Sequence, residues 1–423
     1  MSFSAETRSS LLERFLQYVQ IDTGSCDDSP SAPSTERQLD LSRLLYSQLK
    51  ELGLKDVFLS EFGVVYATIE SNVDKPCPTI GFCAHVDTAP DVPTGPVHPR
   101  VIENYDGSDI VLGDSGKTIA FSENDELAHA VGKTIIVTDG TTLLGGDDKT
   151  GVAVMMEMAK FLLDNPDFPH GTIRLCFSVD EEIGRGADHI ELDRFKCDFA
   201  YTLDSEGTNG IDVETFSADM AIVTFHGVNI HPSIGKGKLV NAIKGVSAFI
   251  DLLPKDGVSP ETTENREPFV HPVDISGNCE KTVVRLILRA FDTPQLAVFA
   301  DWLKELAAKA IEPFPGMKAD VETVFQYRNM GDVLGRYPFL VENLRKAIRA
   351  AGLEPHCEPF RGGTDGSALS FRGLPCPNLS AGYENAHGRF EFVPVPSMAK
   401  NVEILLHLCD CYAREGGSPH AAD

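Results

Sequence analysis

The stretch that most constrains the fold of this chain is Leu143-Leu144-Gly145-Gly146-Asp147-Asp148-Lys149-Thr150-Gly151. Residues 135–137 before it are apolar and predict a strand, and the residues after it recur at helical spacing: Val152, Met155, Met156, Ala159 and Leu162. A strand that ends in a Gly-Gly turn and leads into a helix places its polar residues at the carboxyl edge of an α/β sheet, where ligands bind. The alternative is that Asp147 only caps the helix and that Asp148 is solvated, because aspartate is a favoured N-cap residue.

The length and charge of the chain limit its class. With 423 residues it exceeds the roughly 250–300 at which a single core stops growing, so we expect two domains. The net charge of −26 argues against a nucleic-acid partner and favours cationic ligands such as metal ions. No apolar run approaches the ~18 residues of a membrane span, and residues 1–14 lack the apolar segment of a secretory signal. The ten cysteines show no paired framework, which is typical of a reducing compartment. We therefore expect a cytoplasmic protein without membrane contact.

Three segments with different patterns predict the domain organisation. In residues 1–213, strands alternate with amphipathic helices and several strands end in acidic residues, which indicates an α/β sheet. Residues 214–334 follow the order β-α-β-α-β, with room for another strand near 265–275, and this order is typical of a split βαβ sandwich. Residues 335–423 would complete the first domain. Residues 90–134 are irregular and rich in Pro, Gly and Asp, which predicts a functional loop.

Several side chains at strand ends or in loops could bind metal: His85, Asp147, Glu182, Asp204 and His387. Imidazole and carboxylate ligands suit zinc, and also cobalt or manganese. Residues i and i+2 of a strand project to the same side, so Asp87 could accept a hydrogen bond from the ring of His85, as carboxylates beside metal-binding histidines do. A single histidine at a strand end is more often structural, and paired glutamates such as Glu181-Glu182 also occur at solvated helix starts.

Two metal ions that share one carboxylate need a residue that is central to both ligand sets, and Asp147 is the natural candidate. A metal-bound water with a pKa near ~7 would then be the nucleophile of a hydrolytic reaction. Neighbouring residues point in different directions, so Glu182 can bind metal while Glu181 faces the water. Glu181 would take the proton of the water and deliver it to a leaving amine, an effect worth on the order of 10²–10⁴ in rate.

Short motifs follow one another along nearly the whole chain: Gly81-Phe82-Cys83-Ala84-His85-Val86-Asp87-Thr88, Leu143-Leu144-Gly145-Gly146-Asp147-Asp148-Lys149, Asp180-Glu181-Glu182-Ile183-Gly184, Tyr201-Thr202-Leu203-Asp204, Arg361-Gly362-Gly363-Thr364-Asp365-Gly366, Gly373-Leu374-Pro375-Cys376-Pro377-Asn378-Leu379 and His387-Gly388. Together they resemble the M20 clan of co-catalytic metallopeptidases, and within it the peptidase T subfamily of tripeptide aminopeptidases. The segment 102–113 resembles an insertion that is particular to this subfamily.

The resemblance implies a fold and a ligand set. The fold would be a mixed-sheet di-metal catalytic domain of the α/β class, with an inserted α+β split-βαβ domain that serves as lid and dimerisation domain. Each subunit would bind two Zn²⁺, with Co²⁺ or Mn²⁺ as other possible ions. One ion would be held by His85 and Asp204 and the other by Glu182 and His387. Asp147 would bridge the two ions, Asp87 would orient His85, and Glu181 would be the base.

The resemblance also implies how substrate is bound. The substrate would be a small peptide and the assembly a homodimer formed through the inserted domains. His231 would reach the active site of the partner subunit and steady the oxyanion, and Arg289 would bind a substrate carboxylate. Asn241 and Arg361 are further candidates for substrate contacts. The peptide bond between Asp147 and Asp148 would be cis.

Some positions depart from the pattern of the subfamily: Ser205-Glu206-Gly207, Ser233 and Ala381. None of them is a ligand, but the resemblance places them in loops that line the pocket, so they bear on substrate preference. A dipeptidase, carboxypeptidase or N-acyl amino-acid deacylase of the same clan is therefore an alternative interpretation. A non-catalytic peptide- or metal-binding scaffold is another, which the intact ligand set and Glu181 disfavour.

Overall fold

The computed structural model describes residues 5–113 and 115–416, and the chain divides into two compact units. The larger unit takes the chain up to Val213, Asp332–Glu358 and the chain from Thr364 onward. The smaller unit takes Glu214–Gly331 and Pro359–Gly363.

The strands, in chain order, are β1 (Lys55–Leu59), β2 (Val65–Ile69), β3 (Ile80–His85), β4 (Arg100–Ile102), β5 (Ile110–Leu112), β6 (Lys117–Ile119), β7 (Ile135–Val137), β8 (Ile173–Ser178), β9 (Phe199–Leu203), β10 (Ile211–Asp212), β11 (Ser217–His226), β12 (Phe269–Gly277), β13 (Lys281–Ala290), β14 (Lys318–Tyr327), β15 (Asn378–Leu379) and β16 (Phe392–Pro394). The helices are α1 (Ala5–Val19), α2 (Gln38–Glu51), α3 (Asp125–Ala130), α4 (Gly146–Asp164), α5 (Leu192–Phe195), α6 (Ala242–Leu252), α7 (Pro294–Ile311), α8 (Gly331–Leu334), α9 (Pro338–Ala350), α10 (Asp365–Phe371) and α11 (Val395–Glu415).

The larger unit is built on a mixed seven-stranded sheet in the order β1-β2-β8-β3-β9-β15-β10. β3 runs parallel to β8 and β9, whereas β2 and β10 are antiparallel to their neighbours. Every residue of β3 and β9 is buried, as expected for central strands with a continuously apolar sequence. Because parallel strands end at the same edge of a sheet, His85, the turn after β8 and Asp204 come together there. The predicted mixed α/β sheet is confirmed.

The strand before the central aspartates does not belong to this sheet. β7 lies between β4 and β16 in an antiparallel three-stranded sheet, with Ile136 opposite both Val101 and Val393. The prediction that this strand carries Asp147 to the edge of the main sheet is therefore wrong. α4, which contacts β3, brings Asp147 to that edge instead.

Residues 90–134 are folded rather than irregular. They contain β4, the antiparallel pair β5–β6 and α3, and their apolar side chains form a cluster with β7 and Phe392. The members of the cluster include Tyr105, Ile110, Leu112, Ile119, Leu127 and Ile135. The sequence did not indicate these elements because strands of three residues are too short to show an alternating pattern.

The smaller unit is a four-stranded antiparallel sheet in the order β12-β13-β11-β14, against which α6 and α7 pack. Every second residue of β13 is buried, and the apolar ones among them join Phe225, Phe249 and Leu303 in one core. The order β-α-β-β-α-β includes the additional strand that the sequence predicted near 265–275. Pro359–Gly363, which the sequence assigned to the other domain, packs with this unit because Phe360 N–H donates to the carbonyl oxygen of Glu214.

All ten cysteines are free thiols. Cys83 and Cys176 lie opposite each other on β3 and β8 and are fully buried, as their apolar sequence surroundings predicted. Among the residues that the structure describes, no helix is both long enough and apolar enough to cross a membrane.

Candidate metal centre

Two groups of side chains at the carboxyl edge of the central sheet have the composition and spacing of metal-ligand sets. The first contains His85, Asp147 and Asp204, and the second contains Asp147, Glu182 and His387; within each group the ligand atoms lie within 4.8 Å of one another. The structure thus brings together all the candidate ligands named from the sequence. Asp147 Oδ1 lies 3.0 Å from His85 Nε2, and Asp147 Oδ2 lies 3.3 Å from His387 Nε2. The two oxygens of one carboxylate therefore face two different histidines.

Asp87 supports the first group through its backbone and its side chain. His85 Nδ1 lies 3.1 Å from the carbonyl oxygen of Asp87 and 3.4 Å from its Oδ1. A carbonyl oxygen can only accept, so Nδ1 carries a proton and Nε2 is the nitrogen available to a metal ion. The Asp87 carboxylate also accepts the backbone N–H groups of Glu181 and Glu182, at 3.1 and 3.2 Å. Asp87 therefore fixes the position of His85 relative to Glu181 and Glu182.

The turn before the helical part of α4 places both central aspartates inside the protein. Gly145 adopts a left-handed conformation with φ +81°, which glycine does without steric penalty, and the bond between Asp147 and Asp148 is cis, as the resemblance implies. Asp148 is fully buried; its carboxylate accepts the N–H groups of His85 and Gly151, each at 3.2 Å. The alternative in which Asp147 caps the helix and Asp148 is solvated is wrong, because Asp148 bonds to the first helical turn.

Glu181 and Glu182 lie in a 3₁₀ turn directly after β8. The turn begins at Asp180, which has φ +60° and whose buried carboxylate is bonded to the segment that leads into α2. Glu181 Oε1 accepts the N–H of Asp365 at 3.2 Å, whereas Glu182 Oε2 lies 2.9 Å from His387 Nε2. The two adjacent carboxylates thus engage different groups, as expected if one binds metal and the other acts on the substrate.

Asp204 and His387 have their own supporting residues. Asp204 N–H donates to Asn378 Oδ1 at 3.0 Å, and the hydroxyl of Tyr383 donates to Asp204 Oδ1 at 3.3 Å. His387 Nδ1 lies 3.2 Å from Asp91 Oδ2. The Asp91 carboxylate thus faces Nδ1 of His387 as the Asp87 carboxylate faces Nδ1 of His85, although Asp91 is far more exposed.

Burial and mutual proximity perturb the pKa values of the carboxylates. Burial, with the charge of Asp147, raises the pKa of Glu182 to about 8 and that of Asp204 to about 7. Burial and the charge of Asp204 also raise the pKa of Glu181 well above its usual value. Burial would raise the pKa of Asp147 as well, but hydrogen bonds to His387 and His85 lower it instead. Like charges are therefore crowded in this site, an arrangement that a bound cation relieves.

The donors fit divalent metal ions. Glu182 Oε1 is buried and has no hydrogen-bond partner among the described residues, and a buried carboxylate oxygen costs free energy unless a donor or a cation satisfies it. Imidazole nitrogens and carboxylate oxygens in such numbers suit Zn²⁺, Co²⁺ or Mn²⁺. The two groups are therefore candidate metal sites.

Two of the predicted residues lie in loops or caps of the smaller unit. His231 is exposed and directly precedes the 3₁₀ turn Pro232–Ile234, and its Nδ1 lies 2.7 Å from Ser233 Oγ in that turn. Asn241 caps α6, because its Oδ1 accepts the N–H of Ile243 at 3.0 Å. A structural role thus accounts for the Asn241 side chain, and the predicted contacts of both residues with substrate stay predictions.

The two predicted arginines also have partners within the smaller unit. Arg289 donates to Gln326 Oε1 at 2.9 Å and stacks over the Tyr327 ring. Arg361 donates to the carbonyl oxygens of Asn265 and Glu267 at 2.9 and 3.0 Å. These bonds hold Arg361 against the loop before β12, and its predicted role in substrate binding also stays a prediction.

Sequence reasoning missed several residues that the structure places around the ligands. They are Asp91 beside His387, Tyr383 beside Asp204, Asp365 beside Glu181, and Glu391, which bonds to the turn before Asp147. Asp365 and Tyr383 lie in or next to stretches that the motif comparison had already marked. Nothing in the local pattern distinguishes Asp91 or Glu391 from the other acidic residues of the chain.

Comparison with known proteins identifies the family of the chain. Residues 139–410 match peptidase family M20/M25/M40. A peptidase T of Clostridium botulinum (strain 657) is 43% identical over 404 residues, which cover 95% of this chain and 99% of that protein. A peptidase T of Clostridium perfringens (strain ATCC 13124) is 44% identical over 403 residues, with the same coverage.

Two solved structures share the fold. The aminopeptidase PepT of Bacillus cereus superposes with a TM-score of 0.73 at 24% identity. A tripeptidase of Staphylococcus aureus superposes with a TM-score of 0.75 at 23% identity. Each comparison covers 96% of this chain and 99% of the other.

The chain therefore belongs to peptidase family M20/M25/M40. Within that family it falls in the peptidase T group, and it is an enzyme of the metallo-aminopeptidase class. The predictions of the family and of a hydrolytic enzyme are confirmed.

Proposed function

We propose that this enzyme removes the N-terminal residue from tripeptides, using two divalent metal ions, zinc by preference, bound on either side of Asp147. The observation that carries the proposal is the position of Asp147, whose two oxygens face His85 and His387 separately. His85 and Asp204 would hold one ion, and Glu182 and His387 would hold the other. The peptidase T relatives, at 43% and 44% identity over nearly the whole chain, support the tripeptide specificity.

In this proposal each side chain has a separate task. Two bound ions would supply Lewis-acid polarisation of the scissile carbonyl and would acidify a water at neutral pH. Glu181 moves the proton: its Oε1 accepts the N–H of Asp365, so we assign Oε2 to take a proton from water and return it to the leaving amine. Asp87 fixes the position of Glu181 relative to the ligand Glu182, because its carboxylate accepts the backbone N–H groups of both.

We assign recognition of the peptide to the smaller unit, acting as lid and dimerisation domain of a homodimer. His231 would donate a hydrogen bond to the oxyanion in the active site of the partner subunit, and its exposed position in a turn supports this assignment. Arg289 would bind the carboxylate of the peptide, since a guanidinium matches a carboxylate in charge and geometry. Asn241 and Arg361 would make secondary contacts. We place the enzyme in the cytoplasm, to which the free cysteines are suited.

The proposal is tested by a substrate panel on metal-reconstituted enzyme. The panel contains a tripeptide with a free N-terminus, the same tripeptide N-acetylated, the two dipeptides it contains, and an N-acyl amino acid. We expect the free tripeptide to be cleaved fastest, into one amino acid and one dipeptide, and the acetylated peptide to be inert. Faster hydrolysis of the dipeptides or of the acyl amino acid would overturn the tripeptide specificity.

Two preparations serve as controls in the same panel. Metal-stripped enzyme should be inactive, and Glu181→Gln should be nearly inactive with its metal content unchanged. Undiminished hydrolysis by enzyme shown to be free of metal would overturn the metal-dependent mechanism itself.

A further inference from the structure

A buried carboxylate that no step of the proposed reaction uses lies behind the metal site. Glu391 is 1% exposed. Its Oε2 accepts the backbone N–H groups of Leu144 and Gly145 at 2.8 and 2.7 Å, and its Oε1 accepts the N–H of Asp147 at 2.9 Å. One side chain thus satisfies three backbone donors in the turn that carries the aspartate common to both ligand groups.

The turn is built around this carboxylate. The donors belong to the turn before the helical part of α4, and buried backbone N–H groups in such a turn need an acceptor that the helix does not supply. A side chain at Gly146 would not fit, because a Cβ there would lie 2.9 Å from Glu391 Oε1 and 2.8 Å from Val393 Cγ2. The absence of a side chain at Gly146 is what lets the carboxylate approach the backbone so closely.

Glu391 also joins two parts of the metal site that are distant in sequence. It lies four residues after His387 and immediately before β16, which pairs with β7. On one side its backbone continues the loop that carries His387, and on the other its carboxylate holds the turn that carries Asp147. The only covalent path between these two ligands runs through more than 200 residues, as the sequence numbers show.

We propose that Glu391 is a positioning residue that sets the separation of Asp147 and His387 and thereby forms the second ligand group, Asp147, Glu182 and His387. The inference rests on the proposed metal centre and adds a residue that controls one half of it. Loss of the carboxylate should release the Asp147 turn from the His387 loop. The second group should then bind metal more weakly. The first group should be affected less, because His85 ends β3 and Asp204 directly follows β9.

The test compares Glu391→Gln with a matched control. Glutamine keeps the size of the side chain but has a single acceptor oxygen, so its NH₂ group must face at least one of the backbone N–H groups. Glu384→Gln is the control, because Glu384 is also a buried carboxylate and its backbone pairs with Phe392, directly after Glu391. Both variants and the wild type are stripped of metal and titrated with Zn²⁺ and with Co²⁺, whose visible spectrum reports the geometry of its ligands.

We expect Glu391→Gln to bind one of its two ions about 10–100-fold more weakly, which is typical for residues that support metal ligands. We also expect an altered Co²⁺ spectrum and a fall in kcat larger than the change in KM, while Glu384→Gln behaves as the wild type. Two ions bound with wild-type affinity and spectrum by Glu391→Gln would overturn the inference. A wild-type enzyme that binds no metal would instead overturn the proposed function, so the two failures are distinguishable.

A second measurement decides the matter if Glu391→Gln does not fold. In the metal-free wild type, hydrogen exchange of the peptide that contains residues 143–147 should be slow, because a buried carboxylate holds three of its N–H groups. Exchange at the rate of an open loop would show that Glu391 does not fix this turn and would overturn the inference.

Discussion

Replacing Asp87 by asparagine should damage the metal centre more than the fold. The carboxylate of Asp87 accepts the N–H groups of Glu181 and Glu182, at 3.1 and 3.2 Å, and its Oδ1 lies 3.4 Å from His85 Nδ1. Asparagine has one acceptor oxygen, so at least one of these N–H groups loses its partner. A buried donor without a partner costs about 1–3 kcal/mol, which corresponds to roughly 5- to 150-fold in an equilibrium constant. A metal-free turn can relax to pair this N–H group, whereas bound metal fixes the turn, so the cost falls on the metal-bound state. We therefore expect zinc affinity and kcat/KM to fall by up to that factor.

The assay separates metal binding from stability. Zinc affinity is measured by competition with a chelating dye, kcat/KM with a tripeptide, and the free energy of unfolding on the metal-free protein. Glu157→Gln is the control, because Glu157 is buried on α4 and accepts a hydrogen bond from Ser10 Oγ at 3.0 Å, but it belongs to neither ligand group. The control should lose stability without losing zinc affinity. If Asp87→Asn bound zinc and turned over substrate as the wild type does, Asp87 would not orient the ligands.

Further predictions concern the reaction, the assembly and the metal-free protein. Glu181→Gln should keep its metals and lose on the order of 10²-fold or more in kcat, whereas Glu182→Gln should lose metal. If metal analysis showed that Glu181→Gln loses metal and Glu182→Gln keeps it, Glu181 would be the ligand and Glu182 the base. If His231 acts in the active site of the partner subunit, a mixed dimer of His231→Ala and Glu181→Gln has one site with both defects and one site with neither. Mixing the two inactive variants should therefore restore activity, up to about half of one active site per pair of chains. Exchanged dimers that stay inactive would exclude a shared site. The metal-free protein should become less stable as pH rises from about 5 to 8. The folded-state pKa values of Glu182 (about 8) and Asp204 (about 7) lie above their unfolded values, so the folded state binds more protons than the unfolded state in this window. The free energy of unfolding therefore decreases as pH rises and these protons dissociate. Chemical denaturation at both ends of the window, with and without zinc, checks this, and equal metal-free stability at the two ends would contradict it.

The ligands could be predicted because their surroundings in the sequence are distinctive. His85 ends a continuously apolar strand and Asp204 follows another, and parallel buried strands bring such ends to one edge of a sheet. The Glu181-Glu182 pair follows β8, which runs parallel to β3. Their meeting with Asp147 and His387 required the motif resemblance, since periodicity alone does not show which loops face each other.

The supporting residues could not be predicted in the same way. Glu391 and the N–H groups it binds are about 245 residues apart in sequence, and a hydrogen bond to the backbone places no requirement on the identity of the partner side chain. Asp91 bonds to His387 from within 90–134, where acidic residues are frequent. Such contacts exist only in the folded chain, so no local pattern marks them.

The sequence does not predict the strands of residues 90–134 or the sheet to which β7 belongs, for a related reason. β4 to β7 are strands of three residues each. β5 and β6 pair with each other, whereas β7 pairs with β4 and with β16, which lies far along the chain. A short apolar run such as Ile135–Val137 fits either a main-sheet strand or a small separate sheet. The choice between them is made by tertiary pairing, not by propensity.

The central claim is that two metal ions share the carboxylate of Asp147, and the positions of the metals in a crystal of zinc-loaded enzyme test it most directly. An anomalous difference map at the zinc absorption edge should show two peaks per chain, each about 2.0–2.2 Å from one oxygen of Asp147. One peak should lie beside His85 and Asp204, and the other beside Glu182 and His387. A single peak, or a second peak that Asp147 does not contact, would contradict the account.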